Sequence, residues 1–63
     1  MNLKLYYYKN VIIITYDGEM FTGLVDDYFY PEDNETGLES IVVNTNHGLY
    51  EFNENDIKEI KIV

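Results

Sequence analysis

The feature that most constrains this fold is a run of β-branched residues that ends just before an Asp-Gly pair. Residues 11–15 read VIIIT, and Asp17-Gly18 follows after one tyrosine. Branched side chains pack well on a pleated strand, and Asp-Gly accepts the positive φ angles of a tight hairpin turn. The sequence therefore predicts a first strand over residues 11–16, a two-residue turn at Asp17-Gly18, and a second strand over residues 19–30.

Turn signals divide the rest of the chain into three further strands. Pro31 ends the second strand because proline cannot donate a hydrogen bond to the ladder, and an acidic loop follows over residues 31–38. Strands are predicted over residues 40–45, 49–52 and 57–63, the last beginning properly near Lys58, with a turn at residues 46–48. A tight helical turn over residues 53–56 would be capped by Asn53 or Asn55. Residues 1–9 fit a short helix and an extra strand equally well.

These elements predict an all-β fold in a single domain over residues 1–63: a small, strongly bent, five-stranded antiparallel barrel. Gly23 is the expected position of the bend in the second strand. The chain has no cysteine, so its stability must come from apolar burial, with a partner subunit as the remaining aid. The side chains expected inside the barrel are Val11, Ile13, Phe21, Val25, Ile41, Val43, Tyr50, Phe52, Ile57, Ile60 and Ile62.

The first strand is apolar on both faces, so its outer face requires a cover. Ile12, Ile14 and Tyr16 lie outside in this arrangement, and the favoured cover is residues 1–9, with a subunit contact as the alternative. Tyr28 and Tyr30 belong to an aromatic cluster that either closes an open end of the barrel or contacts another protein. Ile12, Ile14, Tyr16, Tyr28 and Tyr30 are therefore the predicted interface residues.

The charge distribution argues against several partners. Twelve acidic residues and four lysines give a net charge of −8, and the stretch between Lys9 and Lys58 holds eleven carboxylates and no basic residue. Nucleic acids and anionic membranes are bound largely through basic groups, so neither is an expected partner. The longest apolar run has four residues, far fewer than a membrane span requires, and we expect a cytoplasmic protein. The acidic surface would aid solubility, or it would dock a basic partner as a nucleic-acid mimic.

No constellation of residues predicts catalysis, a metal or a cofactor. His47 is the only histidine and lies in a predicted turn, and the only serine, Ser40, has no feature of an activated nucleophile. The acidic residues between Asp26 and Glu35 could gather oxygen ligands for Ca²⁺ or Mg²⁺, but their spacing does not match a calcium loop. A solvated acidic loop is the favoured interpretation, and we expect a protein that is not an enzyme.

The motifs resemble those of Sm-like proteins. Asp17-Gly18 followed by Phe21-x-Gly23 and Val25 resembles their first motif, and Tyr50-x-Phe52 with Ile57-x-x-Ile60 resembles their last two strands. Residues 10–63 are similar to small Sm-like proteins of unknown function from low-GC Gram-positive bacteria, including the Glu39-Ser40-Ile41 that ends the acidic loop. The resemblance implies a five-stranded barrel related to the SH3-like barrel, and subunits that join the fourth strand of one copy to the fifth of the next.

The sequence departs from the RNA-binding members of that family. Residues 28–33 read YFYPED where those members carry Asp-x-Met-Asn, and Asn53-Glu54 stands where they carry Arg-Gly or Lys-Gly. The leading hypothesis is therefore a non-enzymatic interaction or self-assembly module, either a homo-oligomer or bound to a protein partner. The alternatives are a divergent Sm-like RNA-binding protein and an acidic nucleic-acid mimic that binds a basic protein.

Overall fold

A computed structural model describes all 63 residues and shows five strands in one antiparallel sheet. The strands are β1 (Asn10–Thr15), β2 (Met20–Phe29), β3 (Ser40–Thr45), β4 (Gly48–Asn53) and β5 (Ile57–Ile62). Three short 3₁₀ turns, Leu3–Tyr6, Pro31–Asp33 and Glu54–Asp56, are the only helical segments, and none has the length and apolar character needed to cross a membrane. The predicted all-β class and its five antiparallel strands are confirmed, each strand end within one residue of its expected position.

The strand order is β4-β3-β2-β1-β5, with antiparallel pairing between all neighbours. β2 occupies the centre and pairs with β1 along its first half and with β3 along its second half. β4 and β5 do not pair with each other, so the hydrogen-bonded ladder is not closed. The two edge strands therefore keep backbone groups that have no partner strand.

The hairpin between β1 and β2 differs in length from the predicted two-residue turn. The Thr15 amide donates to the Glu19 carbonyl at 2.9 Å and the Gly18 amide to the Thr15 carbonyl at 3.0 Å, so residues 16–18 form a three-residue loop. Gly18 has a φ of 88°, the left-handed conformation that ends a loop of this length. Tyr16 therefore belongs to the loop and not to β1.

Two features shape the bend of β2. The register with β3 shifts between Val25 and Asp27, so Asp26 is the extra residue of a bulge, three positions beyond the predicted bend at Gly23. Gly23 has a different task, because a Cβ at this position would overlap the Asn44 carbonyl oxygen and lie 2.8 Å from the carbonyl carbon. Glycine thus permits β3 to approach β2 closely, and the bulge increases the local twist.

The core consists of eight buried side chains on the concave face of the sheet. Phe21 and Ile60, both predicted core residues, are half-buried against it. Two core predictions are wrong: Tyr50 is 39% exposed and Ile62 is 53% exposed, because both lie on strands at the open edges of the sheet. The buried cluster comprises Leu3, Val11, Ile13, Val25, Ile41, Val43, Phe52 and Ile57.

The N-terminal segment packs on the inner face of the sheet, not on the outer face where it was expected. Leu3, in the first 3₁₀ turn, is fully buried in the same cluster as Val11 and Ile13. The chain then joins β2, since the Tyr8 amide donates to the Val25 carbonyl and the Val25 amide to the Lys9 carbonyl, both at 2.9 Å. The predicted cover of the outer face of β1 by residues 1–9 is therefore wrong.

Leu3→Ala should destabilise the protein by about 2–5 kcal/mol, because it removes a fully buried side chain and leaves a cavity. Leu5→Ala is the matched control: Leu5 lies two positions away and is 66% exposed, so its loss should change the unfolding free energy by less than about 0.5 kcal/mol. Urea unfolding followed by circular dichroism measures both variants. Equal effects of the two substitutions would contradict the burial of Leu3.

Gly23→Ala should cost about 1–3 kcal/mol of unfolding free energy, because the new methyl group forces the backbones of β2 and β3 apart. Thr22→Ala on the same strand is the control, since the Thr22 side chain is exposed and a strand substitution of this kind costs less than about 1 kcal/mol. Thermal and urea unfolding report the difference. A Gly23→Ala protein as stable as wild type would show that the close approach to Asn44 is absent.

Candidate interface surfaces

The outer face of β1 presents two half-buried isoleucines between three polar neighbours and one methionine. Ile12 lies opposite Thr22 of β2 and Lys61 of β5. Ile14 lies opposite Met20 and Glu59. Directly opposed residues of an antiparallel pair share a face, so these four side chains flank the isoleucines and leave them partly accessible. This outer strip is next to the free edge of β5.

Tyr28 belongs to an internal polar anchor centred on Glu39. Glu39 is buried, and its Oε1 accepts hydrogen bonds from the Leu3 amide at 2.8 Å and from the Tyr28 hydroxyl at 3.0 Å. Its backbone carbonyl accepts a third bond, from the Glu54 amide at 3.1 Å. One residue thus connects the N-terminal turn, β2 and the turn before β5.

Burial raises the pKa of Tyr28 to about 12, and its hydrogen bond to Glu39 acts in the same direction. Ionisation of the phenol would remove the proton that Glu39 accepts and place two negative charges side by side. Tyr28 therefore serves as a neutral hydrogen-bond donor that holds the anchor together.

Tyr30 lies at the surface and contacts both Lys4 and Tyr28. The Lys4 ammonium donates to its hydroxyl at 2.7 Å and lies 4.9 Å from the centre of its ring. The rings of Tyr28 and Tyr30 meet edge to face at 5.1 Å. Tyr30 thus contacts the N-terminal segment through Lys4, and Tyr28 shares the Glu39 carboxylate with the Leu3 amide.

Ser40 is fully buried in a second polar network. Its hydroxyl donates to Glu51 Oε2 at 3.1 Å and accepts from Asn34 Nδ2 at 3.1 Å. The same Asn34 amide donates to the Leu38 carbonyl at 2.6 Å. Ser40 thus connects the acidic loop to β4. In the whole molecule, no buried side-chain nitrogen or oxygen lacks a hydrogen-bond partner.

Tyr16 lines an open groove of about 310 Å³ between the β1–β2 loop and β4. Its aromatic walls are Tyr16, Phe21 and Phe52, and the rings of the two phenylalanines meet at 5.1 Å. The groove is also lined by Thr15 and by four carboxylates. The acidic residues of the groove are Asp17, Glu19, Glu51 and Asp56.

Most of the groove carboxylates already accept hydrogen bonds that hold them in place. The Thr15 hydroxyl donates to the Asp17 carboxylate, which holds the pKa of Asp17 below its usual range with help from the Glu19 amide. Asp56 accepts from the Asn53 amide at 3.0 Å, an N-terminal cap of the last 3₁₀ turn. Asp17 therefore keeps its negative charge to a lower pH than an isolated aspartate would.

The five predicted interface residues therefore fall at three places. Ile12 and Ile14 lie on the outer face of β1, Tyr16 lies in the groove, and Tyr28 with Tyr30 lies at the other end of β2. Sequence reasoning did not identify Glu39 as an anchor; the available signal was a lone carboxylate directly before a buried strand, which is not specific.

No group of three or more histidine or acidic side chains is arranged to hold a metal ion. His47 is exposed in the turn between β3 and β4. Comparison of the chain with protein-family models, with curated proteins and with solved structures finds no match. The surfaces described above are therefore the basis for any functional proposal.

Tyr28→Phe should lower stability at neutral pH by about 1 kcal/mol, because a buried carboxylate loses a hydrogen-bond donor. It should also change how the free energy of unfolding depends on pH above about pH 10. The pKa of Tyr28 is raised from 10.0 to about 12 on folding, so between these values the unfolded chain has lost the proton that the folded chain retains. The contribution of Tyr28 to the free energy of unfolding is therefore complete below pH 10 and is lost as pH rises toward 12. This loss should be absent in the variant.

Urea unfolding between neutral pH and pH 12 measures this effect, and tyrosinate absorbance reports the ionisation directly. Tyr16→Phe is the control because Tyr16 is exposed and its hydroxyl makes no hydrogen bond. A pH dependence above about pH 10 that is identical in wild type and Tyr28→Phe would disprove the anchoring role of the phenol.

Proposed function

We propose that this protein is a non-enzymatic self-assembly module, an Sm-like barrel that joins β4 of one copy to β5 of the next. The observation that carries the proposal is the pair of unpaired edge strands, each bearing exposed apolar side chains. A strand edge with free N–H and C=O groups is a template for pairing with another chain unless it is covered or blocked.

The edge strands differ in the features that usually prevent pairing: β4 has one charged residue and no bulge, whereas β5 has two lysines, one glutamate and a bulge. Each edge nevertheless presents exposed apolar side chains. On β4, Leu49 is 63% exposed and Tyr50 lies beside it, partly exposed. On β5, Ile62 is exposed, and the Val63 amide donates to the Asn10 carbonyl at 3.0 Å, which extends the ladder to the last residue. No proline interrupts either strand. Burial of these side chains between copies would add apolar area to a small core.

Pairing of β4 with β5 joins two different surfaces of the molecule. Such a heterologous contact closes into a ring when the rotation between copies divides a full turn, and forms a filament otherwise. The strand order, with β4 and β5 at opposite edges, and the sequence resemblance to Sm-like proteins both support this arrangement. Ile12 and Ile14 next to β5, and Tyr16 next to β4, would lie at the margins of the contact.

The mass in solution tests the proposal, measured by light scattering behind a sizing column over a range of protein concentrations. Wild type should elute as a closed assembly, several times the 7.5 kDa of one chain. Leu49→Lys on β4 and Ile62→Lys on β5 should each produce monomers, because each replaces an exposed apolar side chain of the proposed contact with a charged one.

Leu5→Lys is the matched control, since Leu5 is as exposed as Leu49 but lies in the N-terminal turn and not on either edge strand. It should leave the mass unchanged, and circular dichroism should show that all three variants remain folded. A wild-type protein that is monomeric at every concentration tested would overturn the proposal.

A further inference from the structure

The acidic groove is formed in part by the edge strand β4. Its lining combines Glu51 and Phe52 of β4 with the β1–β2 loop and Asp56, which precedes β5. No lysine of the same chain lines it. The two ion pairs of the molecule, Met1 with Glu54 and Lys61 with Glu59, both lie elsewhere. The groove therefore concentrates negative charge next to Glu51 and Phe52 of an edge strand.

The strands differ in charge in a way that complements the groove. β1 and β3 have no charged residues, β2 carries two aspartates, and β4 carries one glutamate. β5 holds Lys58, Glu59 and Lys61, a net charge of +1, and is the only positive strand. Opposite charges on the two edges favour contact of β4 with β5 over contact of either edge with itself.

The two lysines of β5 are in different situations. Lys61 lies opposite Ile12 on the outer face, and its ammonium is 3.7 Å from the Glu59 carboxylate. The register between β1 and β5 shifts so that Thr15 pairs with Ile57 and Ile14 with Glu59, which leaves Lys58 as the extra residue of a bulge. Bulges commonly redirect a side chain away from the regular alternation. Lys58 is exposed and has no ion-pair partner within its own chain.

We infer that the groove is the receptor for Lys58 of a second copy of this chain, an inference that rests on the proposed self-assembly. The stem of the incoming lysine would pack against the rings of Tyr16 and Phe21, as amphipathic side chains do on apolar surfaces. Its ammonium would meet the carboxylates of Asp17 and Glu19, with the aromatic rings adding cation–π attraction. Glu19 differs from the other carboxylates of the groove, because the hydrogen bonds that occupy Asp17, Glu51 and Asp56 do not involve its carboxylate.

This contact gives the assembly a direction and a dependence on salt. A lysine on β5 and its receptor beside β4 make the contact between copies head-to-tail. Because the groove is open to solvent, added salt screens the attraction. Each copy also has a net charge of −8, so salt weakens the general repulsion between copies as well. The affinity advantage of wild type over Lys58→Glu should therefore shrink as salt increases, and the apolar contribution of the edges should remain.

Charge reversal of each partner tests the inference in the full-length chain. Glu19→Lys and Lys58→Glu should each raise the dissociation constant between copies by about tenfold or more, the equivalent of about 1.4 kcal/mol. The double variant, Glu19→Lys with Lys58→Glu, should recover most of the affinity, because the pair is restored with reversed sign. Sedimentation velocity at low and moderate salt measures the constants.

Matched controls separate this contact from a general effect of charge. Lys61→Glu reverses a lysine on the same strand, and Glu35→Lys reverses an exposed carboxylate in the acidic loop. Both change the net charge by the same amount as the test variants, and neither should weaken assembly as strongly. All the substituted positions are exposed, so circular dichroism should show unchanged folding.

The outcomes distinguish the two proposals. If wild type does not assemble, the proposed function fails and this inference fails with it. If wild type assembles and Leu49→Lys disrupts it, but Glu19→Lys and Lys58→Glu act no more strongly than their controls, only the lysine contact is overturned. An effect of Lys61→Glu that exceeds that of Lys58→Glu would likewise reject Lys58 as the bound residue.

Discussion

The bend of β2 is the constraint on which the rest of the structure depends. A chain of this length has one sheet with which to enclose its core, and a flat sheet would leave the apolar face in water. β2 is the only strand long enough to pair with β1 at one end and β3 at the other. Gly23 admits the close approach of β3, and the bulge at Asp26 turns the strand. The two halves of the sheet can then face the same eight side chains.

The bend also explains why the N-terminal segment is part of the core. The curved sheet leaves one end of its concave face open, and Leu3 fills that opening. Burial of this turn brings a backbone amide into an apolar environment, where an unpaired donor would be costly. Glu39 accepts that amide together with the Tyr28 hydroxyl. The polar anchor is therefore a consequence of closing the core with a separate segment of chain.

The same small sheet leaves its two outer strands without partners. Sixty-three residues form five strands whose ladder ends at β4 on one side and at β5 on the other. The gap beside β4 becomes the acidic, aromatic-walled groove, and β5 carries the positive charge. In the proposed assembly, β5 of one copy would pair with the free edge of β4 of another copy, and Lys58 would enter the groove of that copy.

The sequence by itself determined the strands, because their signals are local. The β-branched run of β1, together with turn signals at Asp17-Gly18, at Pro31 and over residues 46–48 and 53–56, placed every strand end within one residue. Alternation also identified seven of the eight buried side chains. Only the tertiary structure decided which face residues 1–9 cover, that Tyr50 and Ile62 are exposed at open edges, and that Tyr28 meets Glu39. These contacts join residues far apart in the chain, and their geometry follows from the curvature of the whole sheet, which no local pattern of residues specifies.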